Sequence, residues 1–192
     1  MNPVLSMAEE QQPSLPYKEV PAQAEDAKKV LVFFSFSCPV CASYDQGLSR
    51  WAQTMPPGWT AEFMPVALPD KGNYIAARAF FAVKDADPSR LPAFMSAAYS
   101  LIHQNGMTQE NPATWSRAVE IAQVRGFNEA WAKVTPGRLE KAFAKLLTYG
   151  VDATPSLVIG GRYIISPDST AGDNVMFFNL ANGMISKVIM NQ

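Results

Sequence analysis

Residues 30–41, VLVFFSFSCPVC, constrain the fold of this chain more than any other stretch. The unbroken apolar, β-prone run from Val30 to Phe36 predicts a fully buried strand. It runs into Cys38-Pro39-Val40-Cys41, after which apolar residues stand at Cys41, Tyr44, Leu48, Trp51 and Met55. Gaps of three and four residues mark one face of a helix. Pro39 suits its first turn, where the missing N–H costs nothing. The strand therefore delivers two thiols to the mouth of a helix.

Those are the only two cysteines among 192 residues, which narrows their chemistry. A structural disulfide framework needs more cysteines in a shorter chain. A structural zinc site takes four ligands, and with one histidine in the chain, His103, a carboxylate would have to complete the set. An inert pair is the other plain alternative. A thiol–disulfide couple fits a lone CxxC best, and no metal is expected. The length allows one sizeable core, or one domain carrying an insertion. A formal net charge of −1 and the lack of a basic stripe give no footprint for nucleic acid. No run approaches the roughly 18 apolar residues of a membrane span. The start, MNPVLSMAEEQQPSLP, has neither a basic nor an apolar signal-peptide region. Either a cytosolic protein, or one whose signal was removed and whose Met1 was added, is consistent with that.

In chain order, residues 1–15 read as a mobile polar tail. Tyr17–Val20 predicts an edge strand, since Pro21 follows directly, and Gln23–Lys29 a solvated connection. Beyond the first helix, Pro56-Pro57-Gly58 is a stop. Thr60–Leu68 predicts a second buried strand, provided Pro65 falls at its end. From Gly72 to Gly150 the pattern is helical, with Asp87-Pro88, Asn111-Pro112 and Thr135-Pro136 as starts and Gly106, Gly126 and Gly150 as stops. One face carries Leu91, Phe94, Met95, Ala98, Leu101 and Ile102. Ser156–Ile159 and Arg162–Ile165 around Gly160-Gly161 predict a hairpin. Asp173 to Met190 closes the chain as a helix with Phe177, Leu180, Met184 and Val188 on its face. The sum is an α/β fold interrupted by a helical insert, divided as 16–70, 71–148 and 149–192.

A buried strand ending in CxxC at a helix start, with Thr154-Pro155 and a hairpin much later, resembles the thioredoxin superfamily. The match is closer to its bacterial DsbA-like disulfide oxidoreductases. Phe33-Phe34-Ser35-Phe36, the position and length of the insert, and Gly150–Pro155 followed by Gly160-Gly161-Arg162-Tyr163 carry it, from about residue 17 onward. The resemblance implies a thioredoxin-like fold with a central mixed sheet. It also implies a cis Thr154–Pro155 bond beside the motif, and no cofactor beyond a redox-active Cys38–Cys41 disulfide. The partners it implies are extended or unfolded protein substrates and a membrane protein that resets the dithiol; the compartment is the periplasm. Isomerase relatives dimerise through an added N-terminal domain for which residues 1–29 are too short, so a monomer is expected.

Three positions depart from that family. Val32 stands where an acid is common, six residues before the first cysteine. Asp45, four after Cys41, matches a second acidic position and is the remaining candidate proton relay, with a plain solvated helix residue as the alternative. Val40 replaces the histidine of the strongly oxidising members. Thr154 stands where oxidases commonly have valine and is more typical of isomerase and reductase relatives. A thiolate at a helix N-terminus is favoured by the free N–H groups and the dipole, so Cys38 is the expected nucleophile and Cys41 the resolving thiol. Oxidase is the leading direction; isomerase, reductase, and a peptide-binding or chaperone module with idle cysteines stay open. His103 reads as a cap or surface residue, and Met95 and Met107 as packing rather than as a substrate groove.

Overall fold

The computed structural model describes residues 14–191. Of the tail expected over 1–15, all but Ser14 and Leu15, both exposed, lie outside that range. Five strands, β1 (Lys18–Glu19), β2 (Lys29–Phe34), β3 (Thr60–Pro65), β4 (Ser156–Ile159) and β5 (Tyr163–Ile165), form one mixed sheet. Their order is β1-β5-β4-β2-β3, and only β2 and β3 run parallel.

Strand β2 lies inside the sheet, between β3 and β4, and helices cover both sheet faces, so both of its faces must be apolar. Leu31 and Phe33 point into one core cluster and Val30 and Val32 into the other, all four fully buried. The strand is shorter than the apolar run that announced it. It stops at Phe34 because Cys38 N–H turns back to the Ser35 carbonyl at 3.2 Å. Phe36 leaves the sheet and packs its ring among Phe34, Phe94, Tyr99 and Trp115. Strand β3 likewise ends at Pro65, opposite Phe34, rather than reaching Leu68. A residue without an N–H belongs at such an end.

Helices α1 (Pro39–Trp51) and α7 (Asn174–Met190) cover one sheet face. Tyr44, Leu48 and Trp51 pack there with Phe177, Ala181 and Met184 against Val30, Val32, Leu157 and Ile159. Met55, expected on the same helix, lies past a 3-10 turn at Ala52–Thr54. On α7 the buried stripe is Phe177, Ala181, Met184 and Ile185, with Leu180 and Val188 at its edge.

The other face carries α2 (Lys71–Ala86), α3 (Leu91–His103), α4 (Pro112–Ala122), α5 (Phe127–Lys133) and α6 (Pro136–Tyr149). Their starts follow the expected capping chemistry. Asp70 accepts Asn73 N–H at 3.0 Å, which begins α2 earlier than its apolar periodicity suggests, and Asn111 accepts Ala113 N–H at 3.0 Å. Met95 is buried in this core and Met107 is half-buried against it.

Two departures concern charge and turn geometry. Gln23–Lys29 is solvated at Ala24, Glu25 and Lys28 as expected, but its 3-10 turn Ala24–Asp26 buries Asp26 completely. Asp26 is held by Tyr149 Oη at 2.5 Å, Lys145 Nζ at 2.8 Å and Lys29 Nζ at 3.3 Å. Burial, the largest single effect, would raise its pKa, but the Lys145 and Tyr149 hydrogen bonds, the Lys145 charge and the Lys29 hydrogen bond together outweigh it and hold it below the ordinary aspartate value. In the hairpin, Gly160 and Gly161 both have positive φ, 61° and 66°, and Arg162 stays outside β5. A Cβ on Gly161 would meet the Gln23 carbonyl oxygen at 2.4 Å, so this turn needs glycine for space as well as for φ.

Candidate active site

Three segments meet where β2 ends: the Ser35–Cys38 turn, residues 151–154 ahead of β4, and residues 66–73, from the end of β3 into the first turn of α2. Between them lies an open cleft of ≈ 420 Å³ lined by Cys38, Ser35, Ser37, Leu68, Asn73 and Thr154. A larger groove of ≈ 630 Å³ beside Tyr17 and Ser169 has no cysteine in its wall.

Cys38 is the N-cap of α1, with Pro39 in the first turn. Its Sγ takes the capping role a serine or aspartate oxygen often fills, accepting Cys41 N–H at 3.3 Å. It lies 3.3 Å from the Thr154 carbonyl oxygen, to which the thiol form donates. The Thr154–Pro155 peptide is cis. Both thiols are free; Cys38 is half-buried and Cys41 buried. Val40, the residue between Pro39 and Cys41, is 44% exposed.

The two sulfurs are electrostatically unequal. Cys38 is lowered to about 5, first by the hydrogen bond with the Cys41 thiol, with burial opposing and the Thr154 side chain and the Cys41 and Val40 backbone assisting. Cys41 is pushed far above the ordinary thiol range, first by Cys38 and then by its own burial. One proton is thus shared unevenly: the thiolate sits on the sulfur facing the cleft, and the proton stays on the inner one.

Asp45 is not a solvated helix residue. It is 5% exposed, one helical turn beyond Cys41, and its Oδ1 has no hydrogen-bond partner. Burial raises its pKa to about 6. Tyr99 on α3 belongs to the same neighbourhood: burial holds its hydroxyl well above the ordinary range, with Cys41, Asp45 and Cys38 adding to the rise. Val32 is fully buried in apolar packing, so the strand supplies no acid there. Met95 and Met107 do not line the cleft.

The CPVC motif and the proline loop are expected to meet, and Cys38 Sγ lies 3.3 Å from both Cys41 N and the Thr154 carbonyl oxygen, with Pro39, Val40 and Pro155 their chain neighbours. His103 is expected as a cap or surface residue. His103 is exposed, yet its Nε2 reaches the Phe36 carbonyl oxygen at 2.8 Å. Nothing local could reveal a contact that spans 67 positions.

A mixed sheet in which an interior strand hands a dithiol to a helix start, opposite a proline loop, defines the thioredoxin class of folds. The family model described as Thioredoxin matches residues 23–172, and the chain belongs to that family. Within it the likeness is to DsbA. The thiol:disulfide interchange protein DsbA of Bordetella parapertussis is 23% identical over 161 residues, covering 80% of this chain and 73% of that protein. The crystal structure of Pseudomonas aeruginosa DsbA superposes with a TM-score of 0.76 at 19% identity, covering 90% of this chain and 91% of that one. The oxidoreductase NmDsbA1 of N. meningitidis gives 0.70 at 21% identity, with 92% and 93% covered.

Proposed function

We propose that the protein is a thiol:disulfide oxidoreductase that exchanges disulfides with protein substrates through Cys38 and Cys41, acting as a DsbA-like oxidase. The observation that carries this is the split between the sulfurs: a thiolate favoured at the cleft and a thiol held inside. A low thiolate pKa stabilises the reduced dithiol, which makes the disulfide form the oxidant.

A substrate thiolate attacks Cys38 Sγ of the Cys38–Cys41 disulfide. A substrate–Cys38 bond forms, and the broken bond's electron pair goes to Cys41 Sγ. Cys41 is a poor thiolate, so it must take up a proton, and Asp45 is the acid a turn away to supply it. A second substrate thiolate then attacks the substrate sulfur of the mixed disulfide and releases Cys38 as its stable thiolate. The substrate leaves with one new disulfide, and two electrons remain on the dithiol. By analogy with the relatives, a membrane partner in the periplasm takes them up. The cleft, whose lining includes Thr154 and Leu68, offers room for an extended peptide beside the sulfur.

Thr154 at the Cys38 sulfur favours a second reading, an isomerase or reductase. Oxidation of reduced ribonuclease and reduction of insulin separate them. The oxidase reading expects faster turnover in the first assay; dominance of the second supports the reductase, and no turnover in either leaves a peptide-binding module.

A further inference from the structure

We infer that His103 is a positioning residue for the attacking thiol: its ring N–H holds the Phe36 carbonyl and so fixes the turn from which Cys38 projects. The inference rests on Cys38 being the nucleophile.

Phe36 and Ser37 are the two central residues of the turn closed by Cys38 N–H and the Ser35 carbonyl at 3.2 Å. The Ser35 and Ser37 hydroxyls meet across it at 3.0 Å. Both ties are local, and neither fixes the peptide plane between Phe36 and Ser37. His103, the last residue of α3, does so from the helical insert, with Nε2 at 2.8 Å from the Phe36 carbonyl oxygen. A carbonyl oxygen only accepts, so Nε2 carries the proton in this contact, in the neutral ring and in the cation alike.

The ring is set in advance. It stacks on Tyr99, one turn earlier on α3, at 6.2 Å and 29°, and Tyr99 packs against the Phe36 ring at 5.2 Å. The side chain and carbonyl of Phe36 are thus both gripped by the last turn of α3. Beyond the turn, Cys38 Sγ sits at 3.3 Å from both Cys41 N and the Thr154 carbonyl oxygen. The first of these contacts favours the thiolate on Cys38, and it weakens steeply with misalignment. A turn free to rock about the Phe36–Ser37 peptide would blunt the Cys41 N–H contact that favours the thiolate.

The test uses the reduced full chain with His103→Ala and His103→Gln, the Gln amide N–H being able to stand where Nε2–H does. Three quantities are read: the thiolate titration by ultraviolet absorbance, the equilibrium constant with glutathione, and the thermal midpoint. His103→Ala should shift the glutathione equilibrium about three- to tenfold toward the protein disulfide, the size of one hydrogen bond's net worth. Its thiolate midpoint should rise by the matching half to one unit. The thermal midpoint should fall by at most about 4 °C, the matching cost of one hydrogen bond made by an exposed side chain. His103→Gln should recover most of both shifts. An unchanged titration and equilibrium in His103→Ala would overturn the inference. So would a Gln variant as impaired as Ala, or a loss seen only in the thermal midpoint. A parent chain whose Cys38 titrates in the ordinary thiol range contradicts the nucleophile assignment itself, and that is read before any variant is compared.

Discussion

Replacing Asp45 with asparagine should make the reduced protein more stable at neutral pH, and no more stable in acid. Asp45 is 5% exposed, with one carboxylate oxygen unpartnered, and burial raises its pKa from 3.8 to about 6. The native state therefore binds this proton more tightly than the unfolded chain does. Stability contributed by the neutral acid is present below pH 3.8 and is lost as the pH rises toward 6. Above that window the full cost applies: a shift of about two units at 1.36 kcal/mol each is roughly 3 kcal/mol. An amide carries no charge to bury, so Asp45→Asn should recover up to that amount at pH 7.5 and little at pH 4. Denaturant unfolding of the reduced parent and variant at both pH values reads the difference directly, and effects common to both proteins cancel. A stability gap independent of pH, or a variant destabilised more at pH 7.5 than at pH 4, would refute the reasoning. A chain that keeps so costly an acid beside its inner thiol should use it. The variant should accordingly slow the step in which Cys41 takes up its proton, and an unchanged pH profile of exchange would leave Asp45 as packing alone.

Asp26 predicts the opposite pH sign. Its folded pKa is depressed, so its contribution is present above the unfolded value of 3.8 and disappears as the pH falls through the folded one. Asp26→Asn should cost about 3–5 kcal/mol at pH 7, the usual result of breaking a buried ion pair, and the gap measured by denaturant unfolding should close in acid. At the active site, a Cys38 thiolate at about 5 lies between the roughly 3.5 of DsbA and 7 of thioredoxin. The redox potential, read by glutathione equilibration, should then fall between roughly −120 and −270 mV. Val40→His would place an imidazolium beside Cys38 and should lower the thiolate pKa by about one unit. That unit is worth 1.36 kcal/mol, or close to 30 mV toward the oxidising side.

The sheet and the dithiol were legible because each is written in local sequence. The apolar run before Cys38 needs burial on both faces, CPVC carries its own capping and proline chemistry, and Gly160-Gly161 fits a turn that few other residues can make. Boundaries shifted where a polar cap or a turn overrode periodicity, as with Asp70 ahead of α2 and the Ser35–Cys38 turn that truncated β2. What escaped was carried by contacts distant in sequence. Asp26 sits in a polar stretch that reads as solvated, and its burial depends on Lys145 and Tyr149, which lie 119 and 123 positions away. Asp45 is flanked by the apolar face of α1, but periodicity could not say whether it lay on the seam with α3 or outside it. His103 looked like a helix end because it is one; its second role depends on where Phe36 leaves the sheet.

The central claim is that one sulfur, Cys38, carries the reactive thiolate while Cys41 holds its proton. The pH dependence of alkylation in the reduced full chain, with the modified cysteine identified by peptide mass analysis, tests it most directly. Modification should fall on Cys38 with a midpoint of about 5, with Cys41 untouched until the protein unfolds. A midpoint near the ordinary thiol value of roughly 8.5, or Cys41 alkylated first, would contradict it.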